Sequence, residues 1–387
     1  MRILALNSGS SSIKYRLFDS DKNYRLLKRG LAERIGQKTS SVCQIMENQP
    51  AREKEITLPD YRTAMHALFP NEDLGGIDAV GHRVVHGGER FKDPTLVNKE
   101  VIKEIIKLSK FAPLHCQPNV TGIEVLQELL PNIPHVAVFD TAAHAAMDFK
   151  AFLYGIPIEY YQKHKIRKYG FHGINHSYVA HETARLLKKE LKELKIITCH
   201  LGNGCSISAF ENGKSIENSM GLTPLEGLVM GTRCGDLDPS VIIYFIEELK
   251  LTTEQITDLL NRKSGLLGLC GKSDMRDIIA MAKSGDKLSK MAIEIFVYRI
   301  QKYIGAYVAA LNGIDAIVFT GGIGENSPYI RALIAKNFSY LNVIAETEEN
   351  EKNKTIFSAS NSSVFLMNIP ANEEKVIAQQ TQQLLNQ

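Results

Sequence analysis

The sequence predicts an α/β protein built from two similar domains that face each other. Length is the first observation: 387 residues suffice for two domains, each burying its own core. The second is a pattern that occurs twice. Residues 2–18 (RILALNSGSSSIKYRLF) run apolar, then small and polar, then apolar, and residues 196–210 (IITCHLGNGCSISAF) do so again. An offset of 194 (203 minus 9) puts Gly9 on Asn203, Ser12 on Ser206 and Ile13 on Ile207. The third is that HVAVFDTAAH (135–144) and DAIVFTGGIGENS (315–327) each read as an apolar strand delivering polar residues at its carboxyl end. A chance echo is the alternative to duplication.

In chain order, Ile3, Leu4 and Leu6 read as a buried strand, and Ile13, Tyr15 and Leu17 alternate as a second. The small polar residues Asn7, Ser8, Gly9, Ser10, Ser11 and Ser12 between them exceed what a hairpin needs. A serine-rich loop and an anion cradle with Lys14 beside it both fit. The chain is then mixed and polar through residue 60, without strong periodicity between Gln37 and Lys54. A strand-like IDAVGHRVVHGG (77–88) follows, then helical spacing of Val101, Ile105 and Leu108 across 100–111, with Pro113 expected to stop that helix. A Pro-rich loop, APLHCQPN, leads into a helix near 119–130, and Val136–Phe139 reads as a buried strand ending at Asp140.

From about residue 150 the pattern restarts with an amphipathic helix over 176–189. A long helix is expected over 286–312, with Leu288, Met291, Ile295 and Tyr298 on one face and Asn312-Gly313 capping its end. Residues 345–355 (AETEENEKNKT) read as a charged surface loop. The last helix opens at Pro370-Ala371-Asn372 with Glu373 and Glu374 in its first turn, which is ordinary capping and dipole chemistry.

Bulk properties exclude several function classes. A formal net charge of +3 over this length gives no reason to expect nucleic acid or an anionic membrane as partner. Six cysteines at 43, 116, 199, 205, 234 and 270 show neither C-x-x-C nor zinc spacing, consistent with reduced thiols. Asn7 turns the chain polar too early for a signal peptide, and no apolar run approaches membrane-spanning length. A cytoplasmic protein is expected.

Three turns have phosphate-binding character: NSGSSS (7–12), HLGNG (200–204) and GGIGEN (321–326). The third follows a strand and precedes a helix that Ser327 and Pro328 would start, where backbone N–H groups favour anions. None is a Walker A loop, since both Gly-Lys-Ser tripeptides (213–215, 271–273) lack the required upstream glycine, and no G-x-G-x-x-G is present. Together the three turns suggest an ATP cleft between the domains. Arg83 (GHRVVHGG) and Arg233 (GTRCGD) sit in glycine-flanked segments where a planar guanidinium suits carboxylate or phosphate oxygens, although a surface ion pair is the commoner fate of an arginine. His82/His86 and His172/His176 are each four apart, but without H-E-x-x-H or a third ligand a phosphate donor is the better reading than zinc.

With these residues in place the chain resembles the acetokinase family. The matching stretches are NSGSSSIKY (7–15), GHRVVHGGE (81–89), APLH (112–115), VFDTAAH (138–144), RKYGFHG (167–173), ITCHLGNG (197–204), SMGLTPLEGLVMGTRCG (219–235), VFTGGIGENS (318–327) and IPANEE (369–374). The resemblance implies duplicated ribonuclease-H-like domains of the actin/Hsp70 type with a nucleotide cleft between them. It implies residues 1–148 plus 371–387 as the N-terminal domain, closed by the C-terminal helix, and 149–370 as the nucleotide-binding domain. The implied reaction is reversible Mg²⁺-dependent phosphoryl transfer from ATP to acetate, giving acetyl phosphate and ADP, with a propionate or short-chain fatty-acid kinase of the same family as the alternative. The resemblance also implies that Mn²⁺ substitutes for the metal, and it implies a homodimer.

Residue by residue, the resemblance assigns catalysis to Asp140, His172 and Arg233, and acetate binding to Arg83, Val85, Leu114, Phe171 and Pro224. The nucleotide falls to Lys14, His200, Leu201, Gly202, Asn203, Gly204, Asp274, Met275, Arg276, Gly322, Ile323, Gly324, Glu325 and Asn326, and the metal to Asn7 and Glu373. Cys116-Gln117, Ile174-Asn175 and Cys205 depart from the family pattern without touching an assigned role. An acetate carboxylate, with a pKa of roughly 4–5 like side-chain carboxyls, is already ionised at neutral pH. The chemistry therefore calls for charge neutralisation and in-line positioning and needs no general base.

Overall fold

The computed structural model describes residues 1–9, 11–37, 39–46, 52–70 and 74–387, with the side chains of 46 and 113–115 outside the description. The chain forms two compact units, Met1–Ala145 with Asn372–Gln387, and Ala146–Ala371.

In the first unit, β1 (Arg2–Ser8) and β2 (Ser12–Asp19) form the expected hairpin, and β3 (Arg25–Glu33), β4 (Ser41–Met46) and β5 (Arg52–Glu55) extend it antiparallel. On the other side of β1 lie β6 (Ala79–Val84) and β8 (His135–Phe139), both parallel, with the short β7 (Thr95–Leu96) at the edge. The sheet order is β5-β4-β3-β2-β1-β6-β8-β7. Strands β4 and β5 fall in the polar stretch that carries no strong periodicity. β5 is exposed along its whole length, so backbone pairing to β4 holds it and no hydrophobic alternation is required.

The second unit holds β9 (Ile196–Leu201), β10 (Cys205–Glu211), β11 (Lys214–Asn218), β12 (Ala316–Thr320) and β13 (Phe365–Asn368), in the order β11-β10-β9-β12-β13. Three antiparallel strands followed by two parallel ones is also the pattern of β3-β2-β1-β6-β8. Duplication of one α/β motif is therefore present in the strand topology. The offset of 194 does not hold for both strands of the hairpins. It would place Ile207 opposite Gly202, as Ile13 faces Ser8, whereas Ile207 faces Cys199.

Buried β-strand side chains meet helices on each face of the first sheet. Leu4, Leu6, Ile13 and Tyr15 pack with Ala64, Met65, Val125 and Leu126 from helices Tyr61–Leu68 and Pro113–Leu129. Helix Glu373–Leu385 packs on β1 and β6, so closely that a Cβ on Gly81 would lie 2.3 Å from Thr381 Oγ1. In the second unit Val179, Ala180 and Ala184 of helix Gly173–Leu187 cover Ile196, Phe210, Ala316 and Val318.

Several helical expectations are corrected. The helix expected over 100–111 spans Lys99–Leu108, and Pro113 does not stop it but begins the next one, Pro113–Leu129. A proline is tolerated there because its missing N–H would be unpaired in a first turn anyway. The supposed Pro-rich loop is thus helical, with Pro118 inside it. In the long helix Lys287–Leu311 the buried stripe is Ala292, Ile293, Phe296, Ile300, Ile304, Tyr307 and Leu311. The expected stripe is the outer one: Leu288 is 54% and Tyr298 59% exposed. Ile295 and Tyr298 instead line an apolar groove of about 870 Å³ with Tyr329 and Leu333. The charged stretch 345–355 contains helix Thr347–Glu351, tethered through the buried Asn350.

Candidate active site

Parallel strands place their carboxyl ends side by side, and that is where ligands bind in open α/β sheets. In the first unit the register pairs Leu6 with His82 and Val84 with Phe139, so Asn7, Arg83 and Asp140 emerge together from β1, β6 and β8. Arg83 Nη2 donates to Asp140 Oδ2 at 2.5 Å and Nη1 donates to Asn7 Oδ1 at 3.1 Å. Asn7 Nδ2 donates to Glu373 Oε2 at 3.0 Å, and Arg83 Nε lies 3.9 Å from that same oxygen. Burial opposes charge on Arg83, but Asp140 and Glu373 outweigh it and hold the guanidinium firmly protonated.

Glu373 is pushed up to about 7, first by burial, against the pull of Arg83, and further by Asp140 and Glu374. A carboxylate so disposed gains most from an added cation. Its oxygens and the Asn7 amide oxygen are hard donors of the kind Mg²⁺ takes, two protein ligands being enough where phosphates and waters complete the shell. Among the described residues no group of three or more His, Cys, Asp or Glu is placed to hold a metal ion. His82 instead bonds His135 Nδ1 through Nε2 at 2.9 Å.

Val85 follows β6, buried, its N–H donating to Asn119 Oδ1 at 3.0 Å. Asn119 Nδ2 reaches Ser8 O at 2.9 Å and ties the ends of β1 and β6 together. The side chain of Leu114 and the whole of Ser10 lie outside the described residues. Lys14 faces Asn7 across the hairpin and is exposed.

In the second unit the hairpin turn 202–204 and the end of β12 lie together, Gly202 within 3.9 Å of Gly322 N when given a Cβ. Gly321 has φ +76, and its added Cβ would meet Leu201 O at 2.8 Å, a close approach only glycine allows. The GGIGEN segment is itself a short helix, Gly321–Asn326, rather than a turn, and the expected helix follows it, capped by Ser327 and opened by Pro328, over Pro328–Ala335. Glu325 Oε1 accepts from Gly321 N at 3.0 Å and from Ala371 N at 2.8 Å, while Asn326 Nδ2 donates to Gly322 O at 2.9 Å. The fully buried Arg331 donates to Gly324 O and Glu325 O at 2.8 and 2.9 Å, closing the carboxyl end of that helix. Sequence reading missed Arg331, because nothing in RALIA separates a buried arginine from a surface one.

His172 and Arg233 converge on Gly204. A Cβ there would lie 3.5 Å from Arg233 Nη1 and 3.6 Å from His172 Nε2, so glycine leaves space between the two groups. His172 sits at the amino end of helix Gly173–Leu187 with φ +57, a left-handed conformation that is rare without glycine and concentrates at functional sites. Its ring stacks on His200 at 4.2 Å between centroids, and His200 Nδ1 lies 2.8 Å from Asn175 Nδ2. Arg233 Nη1 donates to Pro224 O at 3.1 Å. Phe171 is buried beside Asn218, and Pro224 is half-buried. Gly231 N donates to Asn203 O at 3.0 Å, joining the turn to the Arg233 loop. Asp274 caps helix Met275–Lys283 and pairs with Arg276 at 2.6 Å, with Met275 buried.

The strand topology and these donor-rich strand ends define the class: a duplicated ribonuclease-H-like fold of the actin and Hsp70 type, equipped for anionic phosphoryl chemistry. The profile of the Acetokinase family matches residues 2–379. The chain is 47% identical to an acetate kinase from Carboxydothermus hydrogenoformans over 399 aligned residues, covering 100% of this chain and 99% of that one. Among solved structures it resembles a propionate kinase from Francisella tularensis (43% identity, TM-score 0.93) and the acetate kinase of Porphyromonas gingivalis (37%, TM-score 0.91), each over 99% of both chains. The chain belongs to the acetokinase family.

Proposed function

We propose that the protein catalyses reversible, Mg²⁺-dependent phosphoryl transfer from ATP to acetate, giving acetyl phosphate and ADP by direct in-line displacement. The site chemistry supports it best through one feature: strong cationic donors accompany a carboxylate already committed to an arginine, with Asp140 at 2.5 Å from Arg83. A hydroxyl acceptor would need a base, whereas acetate arrives ionised. An acetate oxygen attacks the γ-phosphorus as the bond to the β-bridging oxygen breaks, and that electron pair leaves on ADP. The obstacle is repulsion between anions. Arg83 and Arg233 neutralise it, Asp140 orients Arg83, and His172 supports the transferring phosphoryl group.

Lys14, the 200–204 turn, Asp274–Arg276 and Gly322–Asn326 are assigned to the nucleotide. Asn7 and Glu373 would hold Mg²⁺, which screens phosphate charge when bound. We place the working protein in the cytoplasm as a homodimer, the latter checked by sedimentation equilibrium. A hydroxamate assay for acetyl phosphate, run beside an ADP-release assay with acetate, glycerol and no acceptor, tests the reaction; acetyl hydroxamate must form with acetate, and ADP release with glycerol would make this a polyol kinase.

The Francisella propionate kinase motivates one alternative, a preference for propionate. One methylene in an apolar pocket is worth about 1–3 kcal/mol. The family resemblance assigns the acetate methyl to Val85, Leu114, Phe171 and Pro224; on that assignment the native enzyme favours acetate, and Val85→Ala shifts the acetate/propionate ratio of kcat/KM about tenfold toward propionate. An unchanged ratio would remove Val85 from the pocket.

A further inference from the structure

His172 does not stand alone. Its Nδ1 lies 2.8 Å from Ser206 Oγ, and the same oxygen lies 2.6 Å from Nε2 of His176. His176 Nδ1 is 2.7 Å from Thr198 Oγ1, which is in turn 3.5 Å from the Ser208 carbonyl. Thr198, His176 and Ser206 are completely buried, and the hydrogen-bond chain runs from β9 through helix Gly173–Leu187 to β10.

A hydroxyl has one hydrogen and a neutral imidazole has one N–H. Ser206 touches two ring nitrogens and can donate to only one, so the other must donate to it. The proton order therefore runs one way along the whole chain, and the state of one ring fixes the other. Thr198 has one hydrogen. Given to His176 Nδ1 at 2.7 Å, it leaves the 3.5 Å contact to the Ser208 carbonyl unmade. Given to Ser208 O, which can only accept, it lets all four contacts be hydrogen bonds, and we take that arrangement. His176 then donates from Nδ1 to Thr198, its Nε2 accepts from Ser206, and Ser206 accepts from His172 Nδ1.

We propose that Ser206, with His176 and Thr198 behind it, is a positioning relay that locks His172 as the Nδ1–H tautomer and aims its Nε2 at the phosphoryl position. It rests on the reading of His172 as a group at the transferring phosphoryl. The consequence is chemical: the neutral ring presents a lone pair at Nε2, and His172 donates to a phosphoryl oxygen only after taking up a second proton. The donor at that position is an imidazolium.

The test is long-range ¹H–¹⁵N correlation NMR of the full-length, histidine-labelled protein at about pH 8.5, two units above the ordinary imidazole pKa of about 6.5. The His172 signal is assigned with His172→Gln. The wild-type ring must show hydrogen on Nδ1; hydrogen on Nε2 overturns the proposal without any variant having to fold. In Thr198→Val, His176 loses its acceptor and moves its hydrogen to Nε2. Ser206 must then donate to His172, whose hydrogen moves to Nε2. Thr198→Ser, which keeps the hydroxyl, restores the wild-type pattern. A His172 tautomer that stays put in Thr198→Val while His176 changes overturns the relay. Ser206→Ala is expected to lower kcat about 10- to 100-fold, the range typical of lost supporting hydrogen bonds, with little change in the KM for ATP. A switched tautomer with unchanged kcat would leave the relay standing and remove His172 from the transfer step.

Discussion

At the scale of the residue, the site is decided by what each polar group is tied to. Arg83 is engaged on two sides, by Asp140 and by Asn7, which suits a group that holds a carboxylate in a fixed plane. Arg233 donates through Nη1 to Pro224 O and to Met230 Sδ, and converges with His172 on the space beside Gly204. We therefore expect Arg233→Lys to lower kcat by about 100-fold or more while raising the KM for acetate only a few-fold, since a point charge cannot reproduce the fork at the transition state. Steady-state kinetics in both substrates check this, and the reverse pattern would make Arg233 a ground-state binding group. Ser206, Asn119 and Arg331, to which sequence reading gave no role, and His176, which it paired with His172 as a phosphate donor, are residues that hold another residue. Asn119 and His176 find their partners 111 and 30 residues away, at Ser8 and Ser206, so no local motif gives that role.

At the scale of the element, two kinds of reading fared differently. Strands with strong apolar runs and glycine- or serine-rich turns were legible, because buried parallel strands and close backbone approaches restrict residue type. Gly321 shows the second effect. Gly321→Ala would place a Cβ 2.8 Å from Leu201 O in a left-handed backbone, at a cost of about 2 kcal/mol. At the usual sensitivity of a domain this size, that lowers Tm by roughly 4–8 °C, measurable by calorimetry. An unchanged Tm would show that the joint between β9 and the GGIGEN helix yields freely.

Helix faces were less legible. Helix Lys287–Leu311 is apolar around much of its circumference, so periodicity offered two stripes and the wrong one was chosen. Proline was read as a stop signal at 113 where the chain uses it as a start. The acidic stretch near 350 looked like solvent-exposed loop. Asn350 nonetheless accepts from Arg331 Nε at 2.8 Å through its side chain and from Nη2 at 2.8 Å through its carbonyl, which draws that stretch against the fold.

At the scale of the whole molecule, buried neutral histidines set the response to acid. Burial lowers His86 to about 3 and carries His82 well below its ordinary value, with His135 also lowered. The unfolded chain binds protons that the native state refuses, so stability is complete above about pH 6.5 and falls as pH drops toward 3. His86 alone accounts for about 2 kcal/mol between pH 7 and pH 5, at 1.36 kcal/mol per pH unit below the ordinary pKa of about 6.5. Glu373, raised to about 7, acts oppositely between about 4.5 and 7, because there the native state binds the extra proton. Urea unfolding of the full chain at a series of pH values should show the acid loss, and His86→Gln should flatten it by that amount. Parallel curves for the two proteins would mean that the acid limb has another source.

What the amino-acid sequence determined by itself was the class of fold, the repeated hairpin and the family, because each rests on short stretches whose residue types are dictated locally: buried strands, tight turns and arginines among glycines. Tertiary structure alone decided which groups act together. Asn7 meets Glu373 across 366 residues only because the last helix returns to β1 and β6 of the first sheet. The Thr198–His176–Ser206–His172 chain exists only because a helix and two strands bring hydroxyls and rings within hydrogen-bond reach. Hydrogen bonds depend on distances of a few tenths of an ångström, and those are set by packing between elements that sequence periodicity does not encode.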